Sequence, residues 1–101
     1  MPESDPKQQA VLRTLAAGDV LFKEGDVGNV AYIVESGVIE ICRFTGEDYV
    51  TLAELEKGAL FGEMALIDSQ PRSAMARSNG EAVVKEIGKD AFLQYLKSSP
   101  N

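Results

Sequence analysis

Histidine is absent from this 101-residue chain, cysteine occurs once, and ten Lys and Arg face sixteen Asp and Glu. Without imidazole, a typical transition-metal site would need a cage of carboxylates alone, and no close acidic cluster suggests one. No metal and no cofactor are expected. Nucleophilic catalysis fails on similar ground, because Ser69, Ser73 and Ser78 have no histidine to activate them and no nucleophile-elbow spacing. The chain reads as a non-enzyme. A formal charge of -6 argues against broad contact with nucleic acid or an anionic membrane, both of which usually demand a basic face. Any anion must be caught locally.

Long apolar runs are also missing, and nothing approaches the ~20 residues needed to cross a bilayer. Met1-Pro2-Glu3-Ser4-Asp5 lacks the basic-then-apolar signature of a signal peptide, so a cytoplasmic location is expected. The single Cys42 agrees with a reducing compartment, and its apolar strand context makes it a small core residue. With 45% hydrophobic content the chain can bury one modest core. A second, catalytic or DNA-reading domain is not expected.

The punctuation of the chain is that of a β protein. Residues 1–9 read as a polar tail, and residues 10–16 as a short helix that could dock through Val11, Leu12 and Leu15. Residues 19–23 form a short apolar strand before the turn-rich Glu24-Gly25-Asp26-Val27-Gly28-Asn29. Gly25, Gly28 and Gly37 read as turn formers. Residues 31–35 and 38–44 then read as strands separated by Ser36-Gly37, followed by a charged hairpin tip at Thr45-Gly46-Glu47-Asp48 and a strand over residues 49–55. Two further strands, residues 74–77 and 82–87, flank a turn at Ser78-Asn79-Gly80. Residues 89–97 form a helix with Phe92, Leu93 and Leu96 on one face before Pro100. Short strands at this spacing predict a sandwich or barrel over residues 17–97, with tails at 1–16 and 98–101.

Residues 61–74 carry the chemistry. Gly62 permits close backbone approach, and Glu63 to Ile67 can form one helical turn whose first N–H groups are open to an anion. Pro71 stops the helix and turns the chain so that Arg72 returns over the same spot. The planar guanidinium can give two parallel bonds to phosphate oxygens, where a lysine offers a point charge. Glu63 cannot be a phosphate ligand, since two anions repel, yet it is a good acceptor for a sugar hydroxyl.

Phe61-Gly62-Glu63, followed at fixed distance by Pro71-Arg72-Ser73-Ala74, resembles the phosphate-binding cassette of the cyclic-nucleotide-binding domains. Gly18-Asp19-Val20-Leu21-Phe22-Lys23-Glu24-Gly25-Asp26 resembles that family's first strand and turn, and residues 31–41 resemble its following hairpin. The resemblance implies an antiparallel β jelly roll or barrel with a short helix in the cassette and a C-terminal helix. It implies a sensor of cAMP or cGMP, with Arg72 on the cyclic phosphate, Glu63 on the ribose 2′-hydroxyl, and Gly62, Ala65 and Ser73 adding backbone or hydroxyl contacts. A hydroxyl at Ser73 suits either nucleotide, and family precedent favours cAMP.

Family members usually add a second terminal helix as a lid over the base, and only one helix fits before Pro100. The base is therefore expected to be open unless a protein effector or another copy of the chain covers it. The competing reading is a domain of the same fold that has given up its ligand and serves as a protein-interaction module.

Overall fold

The computed structural model describes residues 10–98. Its strands are β1 (Val11–Leu15), β2 (Val20–Phe22), β3 (Ala31–Phe44), β4 (Tyr49–Leu55), β5 (Leu60–Phe61) and β6 (Met75–Ile87). Helix α1 (Met64–Ile67) follows β5, and α2 (Lys89–Ser98) closes the described chain. Every strand pair is antiparallel. The fold is the expected antiparallel β jelly roll, with its short helix between β5 and β6.

The register explains how six strands enclose a core. The first half of β3 pairs with the end of β6 and with β5, whereas its second half pairs with the start of β6 and with β4. β6 likewise takes β1 along its second half and β2 along its first. Two four-stranded layers result, in the orders β1-β6-β3-β5 and β2-β6-β3-β4. Their inner faces meet in a core that includes Leu15, Tyr32, Val34, Ile39, Phe61 and Val84. Cys42 is fully buried there, as its strand context predicts.

The turns expected at Ser36-Gly37 and Ser78-Asn79-Gly80 are bends inside β3 and β6. Register shifts fall between Val34 and Ser36 and between Ser36 and Val38, the second opposite the step from Val83 back to Asn79. Gly37 at φ 79° and Gly80 at φ 86° supply the left-handed residues that bend each strand without ending it. The same residue type that ends a strand can therefore also fold it over.

Residues 10–16 do not form the expected helix. Val11 to Leu15 pair with Glu86 to Ala82, and Arg13 meets Glu86 across the pair at 3.1 Å. Val11, Leu12 and Leu15 fit a helical face, but β-branched Val11 and Thr14 suit a pleat, and the open edge of β6 offers backbone partners. Leu15 points inward and is buried. In α2 the expected common face is also narrower, since Phe92 is 4% exposed while Leu93 and Leu96 are 43% and 50% exposed. The N-terminal tail and Pro100 lie outside the described residues.

A Cβ on Gly37 would come within 2.7 Å of the Ala82 Cα, whereas one on Gly46, at φ 102°, would meet open space. Gly46→Ala is expected to cost about 1 kcal/mol in backbone strain alone. Gly37→Ala adds a backbone clash and should cost about 3 kcal/mol. Equilibrium urea unfolding measures both, and equal losses would contradict the two-layer bend.

Candidate functional site

Arg72 is the centre of the site, and it is a buried cation. Its side chain is 6% exposed, and its guanidinium donates from Nη1 to the Gly62 carbonyl at 2.8 Å and from Nη2 to the Val30 carbonyl at 2.9 Å. The Phe22 ring lies beneath, 4.2 Å from Cζ to centroid, and Tyr32 stands at 5.8 Å. These contacts bury the charge without neutralising it. Nε is buried with no hydrogen-bond partner, and Arg72 forms no ion pair among the described residues. A buried cation answered only by neutral carbonyls remains favourable to an incoming anion.

The backbone around Arg72 is held equally firmly. Its N–H donates to the Asp26 carbonyl at 2.8 Å, and its carbonyl accepts from the Gly25 N–H at 2.7 Å. The Asp26 carboxylate in turn accepts from the Lys23 N–H at 3.0 Å, closing the turn that presents those groups. Downstream, Arg43 Nη2 donates to the Ser73 carbonyl at 2.9 Å and ties the end of the cassette to β3.

Gly62 meets two requirements at once. It sits at φ 76°, where an L side chain is strained, and a Cβ there would lie 2.9 Å from Arg72 Nη1. Glu63 begins α1, whose N–H groups at Leu66 and Ile67 return to the Glu63 carbonyl at 2.9 and 3.3 Å. Four residues sum to little dipole, so α1 can offer only individual N–H donors. The Glu63 side chain is half-buried and makes no cap hydrogen bond.

A cavity of about 510 Å³ opens beside the cassette, within the range of small-molecule sites. Gly62, Glu63, Ala65, Arg72 and Ser73, the five residues singled out from sequence, all line it. Phe22, Ile41, Leu55 and Leu60 give it an apolar wall. The lining thus combines apolar surface with a cation, a carboxylate and a hydroxyl. No group of three or more His, Cys, Asp or Glu among the described residues could hold a metal ion.

The sequence reading missed Phe22, Val30 and the part played by Gly28. Gly28, expected as a turn former, has no positive φ and so needs no glycine on conformational grounds. What excludes a side chain there is the Arg72 guanidinium, since a Cβ would fall 2.6 Å from Cζ and Nε and closer still to Nη2.

The profile described as "Cyclic nucleotide-binding domain" matches residues 12–99. The chain belongs to the cyclic nucleotide-binding domain family. A cAMP-dependent protein kinase regulatory subunit of Blastocladiella emersonii is 40% identical over 83 residues, which cover 80% of this chain and 20% of that protein. The chain thus spans about one fifth of the length of this curated relative. Among solved structures, the half-site-occupied form of an EAL enzyme matches with a TM-score of 0.81 and 32% identity, covering 92% of this chain and 84% of the other. The cAMP-bound and cGMP-bound forms of that enzyme match at 0.77 and 0.78, covering 90% and 89% of this chain and 25% and 24% of theirs. The catabolite activator protein of Thermus thermophilus matches at 0.77 with 32% identity, covering 87% of this chain and 42% of that one.

Tyr32 gives the site a pH signature. It stacks on Phe61 at 5.3 Å, and burial raises its phenol above the ordinary tyrosine value, with Glu86 adding to the rise while Arg72 and Arg13 oppose it. A folded-state value above the unfolded one adds stability that is present below about pH 10 and lost as pH rises through the folded value. Ultraviolet titration should therefore show one of the three tyrosines ionising late. Three superposable ionisations would contradict this.

Proposed function

We propose that this domain is a non-catalytic sensor that binds a cyclic nucleotide, cAMP in preference to cGMP, through the cassette between β5 and β6. The observation that carries the reading is Arg72, a buried and uncompensated cation on the cavity wall that uses two of its five N–H donors and leaves Nε without a partner. A cyclic phosphodiester is a singly charged anion of suitable size. Bound there, it would give Arg72 the counter-charge that the protein leaves out.

The rest of the ligand follows from the cavity's chemistry. Glu63, half-buried and close in sequence to Gly62, suits the ribose 2′-hydroxyl as donor, and the Ser73 hydroxyl and the backbone near Ala65 can reach further phosphate or sugar oxygens. The apolar wall of Phe22, Ile41 and Leu55 offers a surface for the purine. The cAMP-bound and cGMP-bound neighbours support a cyclic nucleotide as the ligand.

Output would pass from α1 to α2. Leu66 lies in a buried cluster with Ala31, Ile87 and Phe92, so an inward shift of α1 would be felt at Phe92. Ile67 and Leu96 are 58% and 50% exposed and contribute less. The ligand acts only insofar as it favours one arrangement of these helices over the other. A protein effector or a second copy of the chain, in the cytoplasm, would read that shift.

Titration with fluorescent cAMP and cGMP analogues tests the reading. Binding should be saturable, and Arg72→Ala should weaken it at least about a hundredfold, since two charge-assisted contacts at roughly 1.5 kcal/mol each are lost. Glu63→Gln should cost about tenfold, the value of one such bond. Absence of binding at millimolar nucleotide to folded protein would replace the sensor with an interaction module. Leu66→Ala should leave affinity within about threefold, because it touches the relay and not the ligand, while nucleotide-dependent shifts at Phe92 in NMR spectra disappear. Persistence of those shifts would exclude the Leu66 route.

A further inference from the structure

The β2–β3 loop, residues 23–30, holds the arginine more closely than a turn needs to. It supplies the Val30 carbonyl to Nη2, and Asp26 and Gly25 exchange backbone hydrogen bonds with Arg72. The missing side chain at Gly28 leaves the space in which the guanidinium lies. A Cβ there would meet Nη2 most closely and Cζ and Nε at 2.6 Å, so it would press on the Nε–Nη2 edge of the guanidinium. Phe22 stacks on this group at 4.2 Å. We infer that Gly28 is a positioning residue for ligand recognition, whose lack of a side chain sets where the Arg72 charge points.

The inference rests on the nucleotide-binding reading for its functional consequence, but its geometric part stands alone. Gly28 has no left-handed φ, so alanine brings no backbone strain. The only atoms that an added Cβ would crowd most closely belong to the far end of a flexible side chain, which can swing away. Gly28→Ala should therefore fold, yet with Arg72 displaced from the Gly62 and Val30 carbonyls. Most glycine substitutions damage a loop; this one should spare the loop and misdirect a charge.

Two measurements on the full chain decide it. In NMR spectra that select arginine side chains, the Arg72 Nε–Hε signal should be protected from solvent exchange and displaced upfield by the Phe22 ring, and in Gly28→Ala it should join the signals of exposed arginines. An unchanged signal in the variant overturns the inference whether or not nucleotide binds. Binding of cAMP should weaken by about tenfold or more in Gly28→Ala, while affinity for adenosine, which lacks the phosphate, stays constant. Parallel loss of both ligands would mean general damage to the site and would also overturn it. Adding Gly28→Ala to Arg72→Ala should cost nothing more, because the glycine acts only through the arginine. If wild-type protein binds no cyclic nucleotide while the NMR result holds, the sensor reading fails and the positioning of Arg72 stands. If Gly28→Ala does not fold, Phe22→Leu, which removes the opposite wall of the slot, should release the same Nε–Hε signal, and its retention there would count against the slot.

Discussion

A guanidinium in the interior of a small β barrel must find acceptors, and Arg72 finds them in two backbone carbonyls and an aromatic face instead of a carboxylate. That choice decides what the site can do. A carboxylate partner would have neutralised the charge and shut out an anion, whereas carbonyl dipoles hold the guanidinium in place and leave its net charge available. The neighbouring features follow from this requirement. Gly62 curves the chain so that its carbonyl faces the arginine, Val30 contributes from the end of the β2–β3 loop, and Asp26 and Gly25 fix the backbone of Arg72 itself.

The barrel exists in this form because β3 and β6 are long, paired along their lengths and bent at glycines. Folding those two strands over brings β2 and β5 to the end of the barrel where the cassette departs, so Phe22, Tyr32 and Phe61 meet as an aromatic cluster with centroids 5.3 to 6.4 Å apart. Arg72 rests on that cluster. On its other side α1 leads through Leu66 to Phe92, so the ligand end of the domain and its terminal helix share one packed route. The cassette and the terminal helix are thus joined by a single helical turn.

Much of this was legible in the sequence, and the reason is local. Gly62, Glu63 and Arg72 lie close along the chain and suggest a site for an anion and a hydroxyl, and the family resemblance adds Ala65 and Ser73. β4 was also legible, because its ends are marked by a hairpin tip and a turn. What could not be read depends on distant partners. Val30 meets Arg72 across forty-two positions and through a carbonyl that any residue would carry, so its identity gives no signal. β1 was hidden because Val11, Leu12 and Leu15 fit a helical face as well as a strand, and only the open edge of β6 decides between them. Gly28 was visible as a glycine but not for its reason, since the group it makes room for lies far along the chain.

The most direct test of this account is a crystal structure of the domain grown with cAMP. The account predicts a cyclic phosphate oxygen within about 3 Å of an Arg72 nitrogen, the Gly62 and Val30 carbonyls still bonded to the guanidinium, and the ribose hydroxyl on Glu63. A bound nucleotide whose phosphate avoids Arg72, with the guanidinium still enclosed between Phe22 and Gly28, would contradict it.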